Sequence, residues 1–249
     1  MAIRDTQDVL IFEVPSVGTG LVRDTQDVLI FELPIEPVGL NYPLTPPAIA
    51  GIGPQDFTLS MQNVVGEAVS PFTLSDQEQQ WPGQMFTIEA NLPPMPYAEA
   101  EQWIAFLGAM FGKFGTFLMG DYNRPTPQGP MSGSPVVNGS NLSGSNQLLV
   151  RTTALSVGDW AFAGDYLQVT ASGGQQRLHK ILQNASTDPS GDVTLEIFPN
   201  LRESLVDGTA IVTANCAGTF RLQQNTATWK IDRNRMYTIS FKAREALLP

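Results

Sequence analysis

Cysteine and histidine are almost absent from this chain of 249 residues, which contains one of each, Cys216 and His179. A single cysteine excludes an intrachain disulfide and a multi-cysteine metal site, and it favours folding in a reducing cytoplasm. No basic residue adjoins Cys216 to stabilise a thiolate. His179 follows Arg177 and precedes Lys180, without a neighbouring acid or nucleophile that would suit catalysis. We therefore expect structural, surface or bystander roles for both residues.

Charged residues are also scarce, at 15% of the chain, against about 25% in typical soluble domains. The 14 Lys and Arg are outnumbered by 24 Asp and Glu, so that the net charge is −10. Nucleic-acid binding needs clustered cations that neutralise phosphates, and we expect no DNA or RNA partner. Turn formers and uncharged polar residues replace the missing charges, with 22 Gly and 19 Pro. This composition favours many short strands with much surface covered by neighbouring subunits.

Catalytic and membrane motifs are missing as well. The chain has no phosphate loop, no dinucleotide fingerprint and no Gly-x-Ser-x-Gly elbow. Asp121 and Asp165 each follow a glycine, but neither has the spacing of a calcium loop, and turn formation explains them better. No apolar run approaches the roughly 18–20 residues that span a bilayer, and no signal-peptide pattern opens the chain. We expect no enzyme activity, no catalytic residue, no cofactor, no metal site and no membrane insertion.

A repeat dominates the N-terminal section. Residues 4–15 return as residues 23–34 with a single change, Val14 to Leu33, and a proline-rich stretch follows up to residue 55. Each copy contains the β-prone run Val-Leu-Ile-Phe, which can add as an edge strand to another sheet. In the alternative, one or both copies are ordinary strands of this chain's own sheet. The first interpretation makes residues 1–55 an assembly arm in which both copies take the same strand conformation.

We predict that residues 56–127 form a compact α+β unit. Residues 57–61 and 85–92 alternate apolar and polar side chains, as half-buried strands do, and residues 75–83 between them look like a polar hairpin or loop. Pro96 opens a helix predicted over residues 97–112. Its single apolar face comprises Trp103, Phe106, Leu107, Met110 and Phe114.

The remaining sequence predicts an inserted domain, after which the chain returns to the first sheet. Turn-rich residues 123–130 form a boundary, and short strands are then expected at 147–153, 164–170, 176–183, 192–198 and 209–214. The strand pattern at 218–249 supplies the partners that the first half-sheet lacks. The predicted fold is mainly β (α+β). Residues 56–127 and 218–249 form a β-sandwich with one packed helix, residues 128–217 an inserted small β-barrel or sandwich, and residues 1–55 an extended arm.

Seven segments carry a resemblance to a known family: residues 115–121, 126–129, 164–169, 177–182, 198–202, 229–232 and 239–247. Together they resemble the distal tail proteins of long-tailed bacteriophages, over about residues 56–247. The similar residues maintain a fold and include no active site. The repeat, with its Arg-x-Thr-Gln and closing Glu, also resembles short strips in many phage virion proteins. The duplicated arm departs from the simplest members of the family, so its contacts are not implied by the resemblance.

The resemblance implies a structural role at the tail tip of a virion, assembled in the host bacterial cytoplasm. The expected assembly is a homo-oligomeric, hexameric ring that connects the tail tube protein to the tail hub protein and anchors peripheral proteins. The inserted domain would face tail fibres or the host surface. The alternative function is a glycan-binding module for host adhesion, with Trp160 and Tyr166 of the inserted domain stacking on sugars.

Overall fold

The computed structural model describes residues 2–4, 10–12, 39–48 and 53–247, the first two ranges by their backbone alone. The chain divides after Leu40 into two compact units. In the first unit, β1 (Ala2–Arg4) pairs antiparallel with β2 (Leu10–Phe12), so part of the first repeat copy is extended. The second copy, residues 23–34, lies outside the described residues. The expectation that both copies share one conformation and dock on a neighbour therefore stays a prediction.

The described residues of the second unit form two antiparallel sheets and one helix, α1. This confirms the predicted mainly β fold with a single packed helix. Its elements in chain order are β3 (Asp56–Val69), β4 (Asp76–Asn91), α1 (Tyr97–Ala109), β5 (Phe117–Met119), β6 (Val136–Val137), β7 (Gln147–Arg151), β8 (Tyr166–Thr170), β9 (Gln176–Ile181), β10 (Asp192–Phe198), β11 (Ile211–Val212), β12 (Gly218–Leu222), β13 (Trp229–Ile231) and β14 (Tyr237–Glu245).

The first sheet has the strand order β3-β4-β14-β12-β5, and β13 also pairs with β14. Along β14, Ile239, Phe241 and Ala243 are buried while the residues between them are exposed, as the alternating sequence predicted. Residues 87–91 of β4 lie opposite residues 240–244 of β14. The C-terminal strand therefore lies at the centre of the sheet formed by the strands before the insertion.

Helix α1 packs on this sheet through the apolar side chains that the sequence singled out. Trp103, Phe106, Leu107 and Met110 are buried, and the ring of Trp103 stacks on that of Phe241 at 6.1 Å. The helix ends at Ala109, earlier than predicted, because the chain then turns left-handed at Gly112 (φ 66°) and the residue before it. Phe114 lies beyond the helix and is half exposed, so its assignment to the buried face was wrong.

The second sheet has the open strand order β11-β8-β9-β10-β7-β6. Its two outer strands meet around an isolated bridge between Val136 and Ala210, with backbone hydrogen bonds from Val137 to Thr209 and from Ile211 to Pro135, but they form no continuous ladder, and the described residues form no closed barrel. One hydrophobic cluster fills this sheet, around Trp160 and Leu195. The first sheet has its own cluster, which also includes Phe198 of the second sheet. No observation tests the domain boundaries expected between residues 127 and 128 and between residues 217 and 218, and they stay a prediction.

A buried polar cluster ties the two sheets together. The Glu245 carboxylate, 5% exposed, accepts hydrogen bonds from Arg202 Nη2 at 3.1 Å and from the Phe86 backbone N–H at 3.4 Å. The Arg202 guanidinium also donates to the Gln84 carbonyl, and the Gln84 side-chain oxygen accepts from the Asn200 N–H at 2.8 Å. The last strand, β4 and the segment after β10 therefore share one hydrogen-bonded network.

Candidate assembly surfaces

The β3–β4 hairpin projects beyond the rest of its sheet. Strand β14 pairs only with residues 87–91 of β4, whereas β3 and β4 continue to pair with one another as far as Val69 and Asp76. Between residues 61 and 83 every residue is exposed except Gly66 and Ser70, which are half-buried. Residues 75–83, predicted as a polar hairpin or loop, belong to this hairpin, because from Asp76 on they are its second strand. Residues 61–83 of the hairpin therefore form a two-stranded projection with both edges open. We call this projection the arm from here on; it is distinct from the N-terminal residues 1–55.

A bulge marks the point where the arm leaves the sheet. Asn63 lies opposite Gln84, but Val64 lies opposite Trp81, so Pro82 and Gly83 are extra residues on β4. Proline suits this position because a bulge interrupts the ladder and needs no N–H donor there. A Cβ on Gly83 would lie 2.9 Å from a Val64 methyl group, so the close approach of the strands favours glycine. The bulge explains how the strand continues through the turn-forming residues Pro82 and Gly83.

One face of the arm combines valines with carboxylates. Glu67 lies directly opposite Glu78, and Val69 opposite Asp76. Like charges in directly opposed positions destabilise an isolated hairpin. No ion pair neutralises these three acids within residues 53–247. The arm thus carries a repulsion that a cationic partner would relieve.

The other face and the tip expose aromatic and aliphatic side chains. Trp81 is 56% exposed, and its indole nitrogen lies over Gly66, where an added Cβ would come within 3.4 Å. At the tip, Phe72 is 94% exposed and Leu74 is 79% exposed. Large exposed apolar side chains on a projecting hairpin favour a surface that another macromolecule covers.

A second exposed surface lies around the β13–β14 turn, and we call it the basic corner. Residues 224–235 are all exposed, including Trp229 at 44% and Ile231 at 51%. Three cations, Lys230, Arg233 and Arg235, lie within this stretch. They form no ion pair within residues 53–247.

The only acid in the basic corner is engaged by the turn itself. Asp232 Oδ1 accepts hydrogen bonds from the Asn234 and Met236 N–H groups at 2.8 and 2.9 Å. The carboxylate therefore holds the loop in shape, while the three cations around it face solvent. The corner presents a positive surface with two apolar side chains.

The arm and the basic corner lie at opposite corners of one sheet. Strand β4 flanks β14 on one side, and β13 pairs with β14 on the side occupied by β12. Arg244, near the end of β14, lies opposite Thr87, and the arm extends from there. The turn of the basic corner precedes Tyr237, at the start of the same strand. A copy of the protein cannot bring its own arm to its own basic corner.

His179 and Cys216 both lie in the interior. His179 is 2% exposed, and its Nδ1–H donates to the Pro199 carbonyl at 2.7 Å. Burial lowers the pKa of His179 to about 4, and the nearby Arg202 and Arg177 act in the same direction. The Cys216 thiol lies 3.4 Å from the Tyr166 carbonyl, and burial raises its pKa to about 12. The imidazole is therefore neutral and the thiol protonated at physiological pH.

Stability should fall on mild acidification because of His179. The unfolded chain takes up a proton near its ordinary pKa of 6.5, whereas the folded imidazole resists protonation until about pH 4. The stabilisation is complete above pH 6.5 and is lost as the pH falls towards 4. We expect a loss of about 2 kcal/mol in the free energy of unfolding between pH 7 and pH 5. Urea unfolding measures it, and His179→Asn, which removes the only histidine, should flatten the profile over that range. If the free energy of unfolding falls equally with pH in the unaltered protein and in His179→Asn, the lowered pKa of His179 is not the cause.

The two aromatic residues assigned to sugar stacking are also buried. Trp160 is 0% exposed, and its indole N–H donates to the Ser132 carbonyl at 3.0 Å. Tyr166 is 7% exposed, its hydroxyl accepts from Lys180 Nζ at 3.0 Å, and burial raises its pKa. Neither ring offers an open face to a sugar. The glycan-binding alternative, which no observation tests directly, therefore loses the residues proposed for it.

Asp165 takes the turn-forming role that the sequence predicted for it. Its buried carboxylate accepts from the Gln128 and Gly129 N–H groups at 2.6 and 2.9 Å, and from Phe162 N–H at 3.1 Å. No group of three or more His, Cys, Asp and Glu is placed to hold a metal within the described part of the chain. Among the described helices, none is long and apolar enough to cross a membrane.

Sequence reasoning missed both assembly surfaces. Trp81 lay in the predicted polar hairpin or loop, and Phe72 and Leu74 were assigned to no element, although Val64 and Val65 favour a strand that continues past residue 61. The cations of the basic corner carried no prediction, although Arg233 and Arg235 lie close together in the sequence. Their clustering beside Lys230 depends on the pairing of β13 with β14. No protein-family model matches the chain, and a search of curated proteins finds no significant match.

Proposed function

We propose that this protein is a structural virion subunit of a phage tail tip, which assembles into a closed homo-oligomeric ring. The observation that carries the proposal is the projecting arm, which exposes apolar side chains on both faces and at its tip. An isolated two-stranded hairpin is marginally stable in water. An arm of this length is therefore expected to gain its stability from a surface that covers it.

The tail-tip assignment depends on the family resemblance of residues 56–247, and the arm supports the assembly part of it. In this account the first sheet and α1 form the ring body, which connects the tail tube to the hub. The segment 128–217 faces outward towards peripheral proteins. Six copies per ring is the number that the resemblance implies. Function here is geometric, because the contacts between copies and the position in the tail determine what the protein does.

Labelling of intact particles tests the position. Antibody fragments raised against the purified protein should bind phage particles that contain it at the end of the tail opposite the capsid, as seen by electron microscopy. The label lies there because a tail-tip ring is reached from the outer end. A protein of the tail shaft would instead be labelled at regular intervals along the tail. Label along the shaft, on the capsid or nowhere on the particle would contradict the proposal.

A further inference from the structure

We propose that the arm of one copy docks on the basic corner of the next copy, and that this contact closes the ring. The inference rests on the proposed ring and adds the two surfaces that meet. The partner is a second copy of this chain, because each copy carries both surfaces and cannot bring its own two together.

Charge complementarity is the first argument. Residues 56–91, which form the hairpin, contain five acids and no Lys or Arg. The basic corner offers Lys230, Arg233 and Arg235, with its single carboxylate engaged in turn hydrogen bonds. Opposite potentials across an interface guide the encounter and fix the register of the two partners. Cations placed near both Glu67 and Glu78 would also relieve the repulsion between these two carboxylates.

Apolar complementarity is the second argument. The arm exposes Trp81 and Phe72, and the basic corner exposes Trp229 and Ile231 beside its cations. Aromatic side chains with arginine are the groups that contribute most to binding energy in interfaces. The outer edge of β13 is unpaired within the described residues, as is the outer edge of β3. Backbone hydrogen bonds between such edges can add to the side-chain contacts.

The placement of the two surfaces determines the symmetry. They are different surfaces at opposite corners of the sheet, so each contact is heterologous: it uses the arm of one copy and the corner of the other, and leaves the first copy a free corner and the second a free arm. A head-to-tail contact of this kind produces a ring when its rotation closes, and an open filament when it does not. A two-fold dimer through these surfaces would need both contacts at once between the same two copies, each arm on the corner of the other, whereas a dimer through two arms is disfavoured because the acidic arms repel.

Charge reversal tests the contact. One variant carries Glu67→Lys with Glu78→Lys, and the other carries Lys230→Glu, Arg233→Glu and Arg235→Glu. Each alone should weaken self-association by about tenfold or more, as reversed charges do at complementary interfaces. The chain that carries all five changes should recover rings. An equimolar mixture of the two variants should also recover them, because each arm then finds an oppositely charged corner on the other variant. Light scattering and sedimentation measure the masses.

Matched controls separate this contact from a general effect of charge. Asp207→Lys and Arg151→Glu reverse exposed charges in the second sheet, 3.4 Å apart, and should leave the ring mass unchanged. Recovery in the mixture also excludes misfolding, since a misfolded variant would not be restored by its partner.

The outcomes distinguish this inference from the proposed function. Rings that persist in both variants, or losses that neither the mixture nor the five-change chain restores, would overturn the pairing of arm and corner while leaving the ring itself in place. An unaltered protein that never forms a ring would instead overturn the proposed function.

Discussion

Replacing residues 64–83 by a two-residue Asn-Gly turn is expected to yield a folded monomer that no longer forms rings. Asn63 and Gln84 are cross-strand partners, so a tight turn can join them directly. The residues of β4 that pair with β14 all lie outside the deletion. The change therefore removes the exposed arm and leaves the core of the sheet intact.

The expected loss of self-association is large because the deletion removes the aromatic groups and three carboxylates of the arm at once. Interface residues of this type each contribute about 2 kcal/mol or more, so the association constant should fall by about 100-fold or more. Sedimentation at matched concentrations measures this. The free energy of unfolding should change little, because the deleted side chains are exposed.

A control with two exposed apolar residues elsewhere makes the result specific. Leu142 and Val206 of the second sheet region are 67% and 69% exposed. Replacing both by serine removes a similar kind of surface and should leave the ring mass unchanged. Rings of full stoichiometry from the truncated chain would show that the arm is not part of the contact between copies.

Glu245→Ala is expected to lower the free energy of unfolding by about 3–5 kcal/mol, as the loss of one partner in a buried ion pair does. The substitution leaves the Arg202 guanidinium, whose side chain is 16% exposed, without its counter-charge. It also removes the acceptor of the Phe86 N–H. The cost comes from the uncompensated buried charge and the donor left without a partner.

Urea unfolding in the truncated, monomeric background measures this loss without a contribution from assembly. Lys242→Ala is the matched control on the same strand, because Lys242 pairs with Glu89 at 2.6 Å on the exposed face. That pair is about half exposed on both sides, and its removal should cost about 1 kcal/mol or less. Equal losses for the two substitutions would contradict the role assigned to the buried cluster.

Replacing Arg202 and Glu245 together by methionine tests whether the isolated Arg202 charge causes the loss in Glu245→Ala. The double change removes both charges, so it should cost less than Glu245→Ala alone if the isolated charge is what destabilises that variant. The same cluster joins the segment after β10 to β4 and β14. Its loss should therefore weaken the connection between the two sheets before it affects either core.

The sequence was most informative where one physical pattern acts alone. Residues 239–243 alternate because β14 is buried on one face only, and the spacing of Trp103, Phe106 and Leu107 reflects a helix that packs on one side. Both patterns were read correctly. The strands of the second sheet were also recognisable, since turn residues such as Gly191, with φ 84°, separate them.

Contacts between particular residues far apart in the chain were not recognisable. Pro82 and Gly83 are turn residues, so the sequence left open whether residues 75–83 form a hairpin or a loop, and only the bulge explains the presence of these two residues within a strand. Trp160 and Tyr166 look suited to ligand binding until the fold buries them. The partnership of Arg202 with Glu245 spans 43 residues and has no local signal. Such features depend on tertiary contacts, which composition and periodicity do not encode.

The mass and shape of the purified full-length protein test the central claim most directly. Sedimentation with electron microscopy should show a closed ring of a single stoichiometry, in which arms and basic corners alternate around the circumference. A protein that stays monomeric at every concentration, or that forms only symmetric dimers, would contradict the account.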